Sequence, residues 1–353
     1  MTVMRGTRSS ASLVILAAAG LGFGAGPAQG QESKEPPRTQ PTPSQGEKAL
    51  APEGQPETGF GEGAGPPAAE RRRAPTARVS LNALATFRAD LEDRGDVAVT
   101  RAGVDFDVSF PIGQRSEFSL SFDNELSWYD FEDAVGFVPG TTIDSPVEDT
   151  YEHQIGMRFS TQMDEHWGWF VGGDVNFAGE RGASWSDSAT FGGVAGFTYA
   201  VSETFLIGAG VAVHTRLEDD AWVLPAVIIN WRIADHWRFH TMSPALGNTG
   251  RAAILEYAPS EEWAFSIGAG FTSSDYRLEE HANTPIDEGI LRDQRLPVFA
   301  GVRWSPSAHV SIDLKAGVYV WQEYQIDDRG GNELNTVETD AAPGVSLAVV
   351  FTF

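Results

Sequence analysis

The chain has 353 residues, no cysteine and a formal net charge of −24, which excludes a disulfide scaffold and any thiol chemistry. So acidic a surface repels phosphate and disfavours nucleic acid as a partner. Beyond the N-terminus no segment approaches the roughly 20 consecutive apolar residues that a membrane-spanning helix needs, so a membrane crossing has to be made by strands.

Residues 1–30 read as a secretory signal. Arg5 and Arg8 form a basic start, an apolar stretch runs from Leu13 to Phe23, and Ala28, Gln29 and Gly30 form a small-residue cleavage site. The mature chain then begins near Gln31. Residues 31–77 are dense in Pro, Gly, Gln and Glu with almost no aromatic or β-branched residues. Such a segment cannot bury enough apolar area to offset chain entropy, so it is expected to be a flexible periplasmic tail. At its end Arg71, Arg72 and Arg73 read first as a solvated basic patch and second as a contact for anionic headgroups.

From residue 78 to 353 the texture changes to period-2 alternation, with strands expected to begin near Val79, Val97, Glu117, Tyr151, Trp167, Ser188, Phe205, Ala221, Trp237, Arg251, Trp263, Arg295, His309 and Gly344. The expected fold is therefore all-β: a transmembrane antiparallel up-and-down barrel of about fourteen strands, or twelve if the short segments near Trp237 and Arg251 do not count. The last strand is the clearest, with every odd position from Val345 to Phe353 apolar and a terminal phenylalanine.

A repeated turn supports the barrel. Phe110 and Phe118, Phe159 and Trp167, Tyr199 and Phe205, Trp231 and Trp237, and Tyr257 and Trp263 each bracket a short polar linker, and Trp304 opens a sixth. Amphipathic rings settle at the boundary between membrane and water, so this repeat predicts an aromatic girdle at one rim. The alternate connections, near 130–149, 275–293 and 323–340, are longer and acidic. They match extracellular loops, which puts both termini on the periplasmic side of an outer membrane.

One parity of the strands is apolar: Val104, Phe106, Val108; Trp169, Val171, Val175; Ile207, Ala209, Val211; Phe265, Ile267, Ala269, Phe271. The other parity carries Asp105, Asp107, Asp123, Glu125, Glu152, Arg158, Asp174, Arg232, Arg238, Glu256, Arg303, Asp313 and Lys315. A Lys or Arg facing lipid at the midplane costs about 2–4 kcal/mol, so these charges are expected to line the lumen. A barrel of this size is expected to be wider than its side chains simply fill, open to conduction or closed by charge pairs. Inward glycines 168, 172, 192, 196, 208 and 210 relieve curvature, with Phe170 covering part of the gap, or leave a hollow.

Catalytic and metal signatures are weak. His166, His236 and His309 fall in separate turns, and His153, His214 and His240 fall in strands without a serine-and-acid arrangement or metal-ligand spacing. The acidic stretches 218–220 and 327–328 read as solvated loops before they read as cation sites. No catalytic residue, cofactor or metal is assigned.

The stretch from Arg216 to Pro225, with Asn230-Trp231-Arg232, Tyr257-Ala258-Pro259-Ser260, Ser274 to Leu278, and Leu296 to Pro306, resembles a bacterial outer-membrane barrel family classified as a domain of unknown function. The resemblance covers Arg78 to the end and is strongest after Gly192. It implies fold and location but neither activity nor site residues. The sequence thus points to a non-enzymatic outer-membrane barrel in contact with lipid, either a passive pore for small solutes or ions or a closed structural barrel. A membrane-embedded lipid hydrolase is the alternative from another class.

Overall fold

The computed structural model describes residues 74–92, 94–243, 245 and 251–353. The signal sequence and nearly all of the 31–77 tail lie outside them. Fifteen antiparallel strands follow in order: β1 (Thr76–Asp90), β2 (Asp96–Ile112), β3 (Ser116–Glu132), β4 (Asp149–Gln162), β5 (Trp167–Glu180), β6 (Ala189–Ser202), β7 (Phe205–Arg216), β8 (Asp219–Ala234), β9 (Trp237–Ser243), β10 (Arg251–Tyr257), β11 (Trp263–Arg277), β12 (Ile290–Ser307), β13 (Val310–Asp327), β14 (Glu333–Glu338) and β15 (Ala342–Thr352).

Neighbours in sequence pair as hairpins from β1 to β13. β15 joins β13 to β1, Val310 opposite Phe351 and Arg78 opposite Thr352. Fourteen strands thus close the ring, as a barrel in lipid requires, although the described ladder between β8 and β9 is short, running from Asn230 to Ala234. The remaining strand, β14, takes the place of β15 at the far end: it pairs with β13, and a bridge from Leu91 to Thr339 ties its end to β1.

The period of two decides which side chains face out. Val104, Phe106, Ile155, Met157, Phe191, Phe197 and Ile267 are exposed on the outer face, whereas Leu84, Val97, Val99, Leu206 and Ile228 are buried within. The expected outward residues Val171, Ile207, Val211, Phe265 and Phe271 are exposed in the same way.

The short turns gather at one end with Thr76 and Thr352. There the rings pair from one hairpin to the next, because ladder partners stand on the same face. Trp167 meets Tyr199 at 4.8 Å, Phe205 meets Trp231 at 5.6 Å, Trp237 meets Tyr257 at 4.9 Å, and Trp263 meets Trp304 at 6.1 Å. The turn histidines tie these hairpins together through the backbone. The carbonyls of His166, His236 and His309 accept hydrogen bonds from the amides of Ala200, Ala258 and Thr352.

At the opposite end the strands run further than the sequence suggests. β12 begins at Ile290 rather than Arg295, and part of the expected loop 323–340 is strand in β13 and β14. Charged residues such as Asp275, Arg292 and Asp293 signal loop when read locally, but here Asp275 pairs with Arg292, and Asp293 with Arg101, inside the structure.

Candidate functional site

Fourteen strands about 4.8 Å apart, tilted as in known barrels, enclose a ring roughly 25–30 Å across if it is round. This ring is pinched. The ends of β5 and β11, six strands apart, meet in a parallel bridge between Gly179 and Arg277. Ser274 of β11 donates a hydrogen bond at 3.4 Å to Glu152 of β4, seven strands away on the opposite wall. The expectation of a lumen wider than its side chains can fill is therefore overturned at this end.

Inside the pinched end lies an apolar core. Val97, Val99, Tyr129, Phe131, Tyr276, Leu291, Tyr324 and Ile326 come from strands, Phe137, Val138 and Val147 from the connection 133–148, and Leu278 and Ile286 from the connection 278–289. Tyr129 is packed edge-on between Tyr276 and Tyr324, with centroids 6.3 Å from each.

Beneath this core is a buried charge network centred on Arg101 of β2, which is 1% exposed. Its guanidinium donates to Glu125 at 2.9 Å, Ser127 at 2.8 Å, Tyr276 at 3.0 Å, Tyr129 at 3.0 Å and Asp293 at 2.7 Å. Tyr129 also donates to Asp293 at 2.9 Å, and Arg295 stands 3.2 Å from the other oxygen of that carboxylate. Arg101 and Glu125 come from β2 and β3, and Tyr276 and Asp293 from β11 and β12, four to six strands away round the ring, so the network reaches across the interior of this end. An unpaired charge at that depth is costly, and five polar partners compensate for the desolvation of one guanidinium.

A second network lies on the other side of the seam, where the β7–β8 tip approaches β11–β13. Arg216 contacts Asp275 at 3.2 Å and Asp219 at 2.6 Å, and Arg292 contacts Asp219 at 3.1 Å, Asp275 at 3.4 Å and Asp327 at 2.7 Å. Arg277 reaches Glu218 at 2.8 Å. The acidic stretches 218–220 and 327–328 are thus not simply solvated loops: Glu218 and Asp327 are paired with arginines that local sequence does not place near them, and Asp219 joins the distant Arg292 as well as its near neighbour Arg216.

The residues expected on the lumen parity are distributed along the interior. Asp105 faces its register partner Asp123 and accepts from Asn82 at 3.2 Å. Asp107 and Asp123 are within electrostatic reach of Arg78 and of Arg251 from the opposite wall. Glu152 also accepts from Asn176 at 3.1 Å, and Asp174 accepts from Gln154 at 2.9 Å. Arg158 is buried over the Phe170 ring at 4.8 Å. Arg238 donates to Asn230 at 2.9 Å, whereas Arg232 is exposed near the short turn after β8. Arg303 bridges Glu256 and, at 3.3 Å, Asp313. Lys315 donates to the carbonyl of Ala245 at 3.1 Å and lies over Phe299.

The inward glycines do not border a hollow. A Cβ at Gly196 would stand 2.6 Å from the Phe170 ring and from the Ala209 carbonyl, and one at Gly192 would stand 2.3 Å from Asp174. Phe170, Leu206 and Ile228 pack together there.

Of the strand histidines, His153 lies on the outer face in a stack with Tyr151 and Trp185, at 5.2 and 5.3 Å. His214 and His240 are on the inward parity, with register partners Trp222 and Asn230. Sequence reasoning missed Arg101, Arg292, Asp293 and Arg295. Arg101 shares its parity with Asp105 and Asp107 and was legible on that ground; Arg292 and Asp293 fell within the supposed 275–293 loop, and Arg295 only at the expected start of the next strand.

A family model described as a domain of unknown function (DUF6268) matches residues 147–352. The matched span begins at Val147, so β1–β3 lie outside it, although the resemblance was read from Arg78. No curated protein matches the sequence. Among solved structures, the Pseudomonas putida toluene transporter TodX is similar at 8% identity and TM-score 0.42, over 80% of this chain and 90% of that one. An outer-membrane channel from Pseudomonas putida F1 is similar at 10% identity and TM-score 0.43, over 84% and 100%. A Pseudomonas aeruginosa FadL homologue is similar at 11% identity and TM-score 0.41, over 79% and 90%.

Proposed function

This chain belongs to the family described as a domain of unknown function (DUF6268), a description that carries no activity, and from its geometry we propose an outer-membrane β-barrel that is shut at its extracellular mouth. The closed ring, the exposed apolar exterior and the aromatic girdle support a membrane-embedded barrel. Among the described residues no helix is long and apolar enough to cross a membrane, and a barrel crosses with strands. In this reading the short turns and both termini are periplasmic, residues 1–30 direct export, and residues 31–77 remain as a periplasmic tail.

The observation that carries the closed state is the Arg101 network, which joins β2 and β3 to β11 and β12 across the interior under an apolar core. A passive pore of constant bore needs a hydrated path, whereas here opposing side chains are within hydrogen-bond distance. The geometry supports the closed alternative over the open one, and the reading assigns no catalysis. Loss of lipid hydrolysis on changing His214 or His240 would revive the hydrolase alternative.

Planar-bilayer recording of the refolded mature chain tests the proposal, with insertion verified by protease protection. The wild type is expected to be silent and the Arg101→Ala, Asp293→Ala double variant to show discrete steps. Steady conductance by the wild type would overturn the closed reading.

A further inference from the structure

Beside the β5–β11 bridge, Glu180 at the end of β5 faces Glu279 and His281 from the connection 278–289. One donor atom from each lies within 4.8 Å of the other two. Glu180 is 6% exposed. Its Oε2 accepts from the Glu279 amide at 3.0 Å and lies 3.3 Å from His281 Nε2, while its Oε1 and the whole Glu279 carboxylate receive no hydrogen bond among the described residues. Gly182, at φ +114°, lets the Glu279 carboxylate come against the backbone, where a Cβ would stand 2.4 Å from its Oε2.

Two carboxylates held this close repel each other, and the nearby arginines do not offset the repulsion. Arg181 turns to Asp149 at 3.1 Å, and Arg277 is engaged with Glu218 and with the carbonyls of Asp187 and Glu288. A cation placed between the three donors removes the repulsion and fills the vacant oxygen lone pairs. Ca²⁺ and Mg²⁺ prefer all-oxygen sets. An imidazole with two carboxylates suits Zn²⁺ and its neighbours, whose tetrahedral ligands at about 2.1 Å stand about 3.4 Å apart. The donors therefore need only small side-chain rotations to share one ion, with a fourth position left to water.

We propose that Glu180, Glu279 and His281 form a divalent transition-metal site that staples the 278–289 connection to β5 and so locks the seam closing the barrel. This inference rests on the closed-barrel reading for its consequence, but not for the site itself. Leu278 and Ile286 of the same connection lie in the apolar core, so fixing the connection fixes the plug beneath it.

The test titrates Zn²⁺ into the chelator-treated full-length protein by calorimetry, with Glu279→Gln and His281→Ala alongside. Glu279→Gln removes a carboxylate that bonds to nothing else among the described residues, so it should fold as the wild type does. One ion per wild-type chain is expected, with affinity falling at least about 100-fold in either variant, since loss of even an outer-shell partner costs 10–100-fold. Zinc at about 100 times its Kd should slow amide exchange across 278–289 by up to about 100-fold in the wild type alone. No binding by the wild type, equal binding by the variants, or binding without slowed exchange overturns the staple. Conductance of the same samples separates the two ideas: a barrel that binds zinc yet conducts steadily sinks the closed reading and leaves the site, whereas a silent barrel indifferent to zinc sinks the site alone.

Discussion

The barrel wall is tall around most of the ring and low only at β9 and β10 among the described residues. β1–β5 and β11–β13 run 14 to 18 residues, whereas β9 and β10 have seven each. A membrane crossing needs about 9–11 residues per strand, so the tall wall carries inward positions beyond the hydrocarbon layer. Those positions hold Val97, Tyr129, Leu291 and Tyr324, the apolar core, together with Arg101 and Asp293 below it. Closure at the mouth is thus built largely from the extended wall itself, with the connections contributing a few side chains, whereas the low wall places Ala245, Ala252 and Ile254 in a separate, smaller cluster with Leu84, Phe299 and Tyr319.

The largest expected effect tests this asymmetry directly. Arg101→Ala leaves Glu125 buried without its cation and Asp293 with only Arg295 and Tyr129, and breaking a buried pair in this way costs about 3–5 kcal/mol. Denaturant unfolding in detergent or vesicles should show that loss. A change under about 1 kcal/mol, below the usual worth of a charged hydrogen bond, would mean the network is not what holds the tall wall together.

On the low wall a single side chain does part of the backbone's work. The Thr241 hydroxyl accepts from the Ile229 amide at 3.0 Å and donates to the Val227 carbonyl at 2.8 Å, which extends the β8–β9 ladder past Asn230. Thr241→Val keeps the shape and strands both groups, for a loss of about 1–3 kcal/mol. Its unfolding midpoint should fall less than that of Arg101→Ala; an equal fall would erase the distinction between the two walls.

The smallest effect belongs to the girdle, which runs past both walls. Trp263→Leu removes the ring pair with Trp304 while keeping an apolar side chain, so a loss of about 0.5–1.5 kcal/mol is expected. Trp237→Leu should cost about the same on the low wall, because both rings sit at the same boundary. Unequal losses in matched unfolding curves would show that wall height reaches the short-turn rim as well.

Much of this fold was legible residue by residue. The expected strand starts at Trp167, Phe205, Trp237, Arg251 and Trp263 coincide with those observed, since turn residues and flanking rings punctuate the chain locally. The apolar parity holding Val104 and Phe106 was legible for a similar reason: each residue's face follows from its neighbour's. Less of the candidate site could be read. Asp105, Glu125 and Glu256 were marked by charge on the inward parity, but nothing near Glu180 in the chain announces Glu279 or His281.

Sequence by itself therefore determined the all-β barrel, its hairpin order, its fourteen-strand ring and the facing of most strand residues, because alternation and turn chemistry act over a few residues. Only the tertiary structure decided that Gly179 meets Arg277, that Arg101 meets Asp293, and that the tall wall fills its own mouth. Those contacts join positions about 100 to 190 residues apart, where ring closure and pinching set the distance and no local pattern encodes the partner.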